Sequence, residues 1–179
     1  LLGVKSYNDT PSSIELSISP SKAKEIDQLL PQLGPPPYIG LTWRAGIQKR
    51  NRLSKIVPQA PLAESLASID ATFVSLQRNP YDGETKMLGQ KIGQPLHDLS
   101  DLNEDLELML ALLDRLNFYI CVSNTNTHLR AGLGKRCHVL VPNPADYRWM
   151  HSGSESPWFP GSKHDTHKNN SQFLKILFG

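Results

Sequence analysis

Only two cysteines stand in 179 residues, too few for the disulfide framework of a small secreted domain. Cys121 and Cys137 both sit in apolar runs, which suits buried, reduced thiols in the cytoplasm. No apolar stretch approaches the roughly 20 residues of a membrane span, and no signal peptide opens the chain. The opening Leu1-Leu2 without methionine points to a chain cut from something longer. Charge of one sign is scarce as well. Nineteen basic against 17 acidic residues leave a net charge of +2, too mild to argue for nucleic acid. There is no Asp-x-Asp pair, no internal repeat and no low-complexity tract. Gly132-Leu133-Gly134 falls short of the G-x-G-x-x-G dinucleotide fingerprint. The serines at 152, 154 and 156 form no nucleophile elbow. His164, Asp165 and His167 lack further metal ligands at a recognised spacing, so a polar loop is expected there.

What is present is an alternation. Residues 1–19 are polar and irregular. Pro20-Ser21 opens an amphipathic helix to about Leu33, with Ala23, Ile26, Leu29 and Leu30 on one stripe. Gly34 and three prolines end it. Strand-like segments follow at 38–43, 71–77, 95–99, 118–123 and 137–142. Helical patterns separate them at 58–69, 82–92, 102–116 and from about 126. The 102–116 stripe is the clearest, with Asp101 or Asn103 available as its cap. Strands spaced by such helices imply right-handed crossovers and a parallel sheet covered on both faces. The expectation is an α/β, Rossmann-like, three-layer domain of five strands at most. It divides the chain into a linker with leading helix (1–37), the domain proper (38–161) and a C-terminal loop and helix (162–179).

In such sheets ligands bind beyond the carboxyl ends of the strands, where the strand order reverses. Three polar segments fall at strand ends: 42–46, 77–79 and 123–128. The last, Ser-Asn-Thr-Asn-Thr-His, follows an apolar strand directly. Asn124 or Thr125 can cap the next helix, and its first-turn amides, positive dipole end and His128 together suit a diphosphate. Plain capping without a ligand is the competing explanation. After the first strand, Arg44 is placed for a bidentate phosphate contact, and Ala45-Gly46 lets backbone come close. Lys49, Arg50 and Arg52 suit a solvated basic loop.

Five motifs in this order resemble one family: 39–46 (IGLTWRAG), 73–77 (FVSLQ), 123–129 (SNTNTHL), 131–135 (AGLGK) and the tail YRW…SPWFP between 147 and 160. They are similar to the C-terminal half of heptosyltransferase-like glycosyltransferases of family nine, in the form that follows tetratricopeptide repeats in bacteria. That resemblance covers 38–160 and implies one half of a GT-B fold, whose C-terminal domain binds a nucleotide sugar as donor substrate, without a further cofactor or metal. It implies phosphate and sugar contacts from Arg44, Ala45, Gly46, Ser123, Asn124, Thr125 and His128. It places the nucleoside at Gln77, His97, Asp98 and Leu99. The acceptor domain, which usually supplies the catalytic base, is expected outside this chain, as are tetratricopeptide repeats. Two departures matter. Ser123-Asn124-Thr125 replaces an Asp-Thr-Ser or Asp-Thr-Gly turn, and Arg130 stands where the family carries a small residue. Those substitutions keep a catalytically inactive interaction module, or another small-molecule binder on the same fold, beside the donor-binding function.

Overall fold

The computed structural model describes residues 14–45, 56–141, 147–149, 155–156 and 158–166. Within them, seven strands form one sheet: β1 (Tyr38–Thr42), β2 (Thr72–Ser75), β3 (Leu96–Asp98), β4 (Phe118–Val122), β5 (His138–Val141), β6 (Glu155–Ser156) and β7 (Phe159–Thr166). Their order is β3-β2-β1-β4-β5-β7-β6. The first five run parallel, β7 is parallel to β5, and β6 returns antiparallel to β7. Five helices accompany them: α1 (Pro20–Leu33), α2 (Gln59–Leu66), α3 (Glu84–Ile92), α4 (Leu106–Arg115) and α5 (Thr125–Gly132).

The central strands are apolar nearly throughout because both faces are covered. Successive side chains alternate between the two. In β4, Tyr119 and Cys121 face a core shared with Ile26 and Leu30 of α1 and with Met109, Leu112 and Leu113 of α4. Ile120 and Val122 face the other core, with Leu62 and Leu66 of α2 and Leu88 and Ile92 of α3. Gly40 allows the close approach of α4 and β4 to β1. A Cβ there would stand 2.5 Å from Leu116 Cδ1 and 3.1 Å from Tyr119 Cδ2.

Four expectations change. The sheet has seven strands, not five, and β7 runs past residue 161 into the stretch expected to be loop. His164 and Asp165 therefore lie in a strand, and His167 falls outside the described residues. The helix expected from 102 begins at Leu106, after a 3-10 turn at Ser100–Glu104. Its cap is Asp105, whose Oδ1 accepts from the amides of Glu107 and Leu108 at 3.1 and 3.0 Å, rather than Asp101 or Asn103. The leading helix, α1, forms where it was expected and packs on the core. Ile26 and Leu30 are buried, and two ion pairs bind its polar edge to α4, Lys22–Asp105 at 2.6 Å and Arg115–Asp27 at 2.7 Å.

Candidate functional site

From β1 the chain crosses to β2 and β3 on one side, then returns to place β4 and β5 on the other. The reversal lies between β1 and β4, and in sheets of this kind ligands bind beyond the carboxyl ends at that point. α5 starts directly after β4. Asn124 is its cap: the Oδ1 accepts from the Thr127 amide at 3.0 Å, and Thr127 Oγ1 accepts in return from the Asn124 amide at 3.4 Å. This reciprocal pair completes a capping box. Asn124 Nδ2 also donates to Tyr119 Oη at 3.1 Å, and that hydroxyl lies 2.9 Å from Thr42 Oγ1. The cap is thereby tied to the end of β1 across the reversal point. Burial pushes the Tyr119 hydroxyl well above its ordinary pKa, so it stays protonated.

The side chains left toward solvent are those of Ser123, half-buried, and of Thr125 and His128, both exposed. The amides of Thr125 and Asn126 are the first-turn donors that a helix cannot satisfy itself. His128 is steadied edge-on by Phe159, with ring centroids 4.7 Å apart. Asn124 spends its side chain on capping, the role that competed with ligand binding.

Arg44 does not join this turn. It is 3% exposed, and its donors are taken on the α3 side of β1. Nε meets Glu84 Oε1 at 2.9 Å, and one terminal nitrogen meets Glu84 Oε2 at 2.6 Å and the Asn79 carbonyl at 2.7 Å. The guanidinium carbon lies 4.2 Å from the centroid of the Tyr81 ring. Burial pushes the Glu84 carboxyl up, but hydrogen bonds from Arg44, the Tyr81 amide and the Trp43 indole outweigh it and hold the pKa below its usual value. Gln77 is equally committed. Its Oε1 accepts from the Arg44 amide and its Nε2 donates to the Arg44 carbonyl, both at 3.1 Å, which ties the ends of β1 and β2 together. Ala45 is buried, and Gly46 lies outside the described residues.

Of the other three residues expected around the nucleoside beside Gln77, His97 is half-buried on β3 and Leu99 packs against the α1–α4 core. Asp98 is exposed, held by the Thr85 hydroxyl at 3.1 Å and the Ser100 amide at 3.0 Å. Sequence reasoning missed Asn103. This buried residue donates to the carbonyls of Leu76 (3.3 Å) and Ser100 (2.8 Å), and its Oδ1 accepts from Asn126 at 3.2 Å. It couples the β2 end, the segment after β3 and the first turn of α5. Arg130 reaches no ligand position. It is 3% exposed and donates to the Leu113, Leu116 and Arg136 carbonyls, closing the end of α4.

The family 9 glycosyl transferase of Veillonella parvula matches this architecture with a TM-score of 0.63 at 11% identity, over 95% of the chain and 47% of that enzyme. The chain shares the Rossmann-like fold of that part of a GT-B-like glycosyltransferase. In sequence it is 27% identical over 150 residues to protein FlbA of Caulobacter vibrioides, a match over 81% of the chain that spans 24% of FlbA. No protein-family model matches. At the carboxyl ends of its strands the domain carries two polar groups of distinct character. The α5 turn offers amides, hydroxyls and an imidazole. The β1–β2 ends are closed by a buried ion pair. Among the described residues, no helix is long and apolar enough to cross a membrane.

Proposed function

We propose that the chain is the donor-binding half of an inverting, metal-independent glycosyltransferase, with a nucleoside diphosphate sugar lying across the carboxyl ends of β2, β1 and β4. The observation that supports it most is the first turn of α5. It begins at the strand-order reversal, it is capped from within by Asn124, and the side chains of Thr125 and His128 in it are exposed. Such a turn stabilises charge that develops on a leaving diphosphate without a cation. Arg44 then acts at one remove, by fixing the loop after β2. The acceptor and the catalytic base belong to the other half of such an enzyme, so the 179-residue chain by itself transfers no sugar.

A second reading is favoured by Arg44 alone. A cation locked into a buried pair with Glu84 is unavailable to a diphosphate, as in a glycosyltransferase fold retained as an inactive interaction module, joined to tetratricopeptide repeats. Calorimetric titration with UDP-, GDP- and ADP-sugars separates the two. The donor-binding reading expects saturable binding of one nucleotide class below millimolar concentration. Heat of dilution alone with the whole panel would leave the interaction module standing.

A further inference from the structure

At the amino ends of β4 and β5, opposite the ends that lead to the α5 turn, lies a cavity of about 390 Å³. Ligand pockets span roughly 300–1,000 Å³, so this one suits a small molecule. Leu116 and Phe118 give it apolar surface, and the His138 ring lies 6.2 Å from that of Phe118. Three cations line it as well: Arg130, Lys135 and Arg136. Its lining holds no carboxylate.

The three cations are incompletely neutralised. Arg130 is 3% exposed, and charges buried to that degree are ordinarily paired. Its acceptors are all carbonyls, those of Leu113 and Leu116 at the end of α4 and that of Arg136 at 2.7 Å. A helix end supplies roughly half a negative charge, so the guanidinium is hydrogen-bonded without being balanced. Burial lowers its pKa more than the Asp114 carboxylate raises it. Lys135 does meet a carboxylate, Asp114 Oδ1 at 3.0 Å, but Asp114 is shared with Arg115. Arg136 is exposed, and its side chain has no hydrogen bond or ion pair among the described residues. Positive charge therefore exceeds its local partners beside a cavity with apolar lining. An anion answers the first feature and a ring or apolar body the second.

We propose that this cavity binds a small organic anion, a carboxylate or phosphate group carried on an aromatic or apolar body. Arg136 and Lys135 meet the oxygens, and Leu116 and Phe118 meet the body. Arg130, whose donors are spent on carbonyls, contributes charge without contact. The site is independent of the donor-binding reading, because it lies at the opposite ends of the same strands.

Benzoate, phenyl phosphate and the uncharged benzamide, titrated into the isotopically labelled chain, test this. At least one of the two anions should give saturable shifts of the Asn117, Phe118, Arg136 and His138 amides, and benzamide none. A response to benzoate alone would mark a carboxylate ligand, and to phenyl phosphate alone a phosphate. Arg136→Gln should weaken that binding by roughly tenfold, as for a charged hydrogen bond. Because Arg136 is exposed, its variant should unfold cooperatively near the wild-type midpoint. Lys135→Gln should weaken binding too. Equal affinity in wild type and Arg136→Gln, equal binding of benzamide, or anion shifts confined to the Thr125 and Asn126 amides would overturn the site. So would the absence of saturable shifts with either anion at millimolar concentration.

Discussion

Four donors converge on the Glu84 carboxylate: Trp43 Nε1, Arg44 twice, and the Tyr81 amide, all between 2.6 and 2.9 Å. Breaking one partner of a buried pair strands the other without water, which costs about 3–5 kcal/mol. Glu84→Ala should therefore lower stability by about that much in urea denaturation at neutral pH. The pH dependence has a definite sign. Because the folded-state pKa lies below the usual 4.5, the pair's contribution is full above that value and is lost as pH falls through the folded pKa. The gap between wild type and Glu84→Ala should narrow below about pH 4.5; a constant gap down to pH 3 would show that the charge is not what stabilises. Nothing in the sequence near Arg44 announces this partner. Forty residues separate the two, and a strand-end arginine looks the same whether it meets a phosphate or a glutamate. Tyr81, Asn103 and Tyr119 were hidden for the same reason, since each acts through contacts that only the folded sheet makes.

At the scale of the element, α5 shows what local sequence can and cannot decide. The run of small polar residues after an apolar strand is a helix start on chemical grounds alone, and the helix is there. Which residue caps it was open between Asn124 and Thr125. Asn124 wins because its neighbour three positions on, Thr127, returns the bond and completes the box. Asn124→Ala should cost about 1–2 kcal/mol, the usual range for a lost side-chain cap, read as a lower urea midpoint. Thr125→Ala, which removes an exposed hydroxyl, should leave the midpoint unchanged. The reverse ranking would move the cap to Thr125. α4 failed at its boundary for a complementary reason. Leu102 continues the apolar stripe and packs against the α1–α4 core, but it does so from a 3-10 turn. Periodicity records which side is buried and is nearly blind to the change of helix type just before Asp105.

For the whole molecule, β1, β2, β4 and β5 were legible because strands covered on both faces are apolar nearly throughout and bounded by helix signals. The pairings Ile39 with Phe73 and Phe118, and Cys121 with Val139, put these four strands in one parallel sheet. β6 and β7 were not legible. Glu155–Ser156 is two residues long, and β7 carries glycine, lysine, histidine and aspartate where an apolar run would mark a strand. The central claim, that the α5 turn receives the diphosphate of a nucleotide, is tested most directly by amide chemical-shift mapping. An isotopically labelled chain is titrated with the nucleoside diphosphate that binds best. The account predicts that the Thr125, Asn126 and His128 amides shift together, along one saturation curve. Saturable shifts confined to other faces of the domain, or no shifts at millimolar nucleotide, would contradict it.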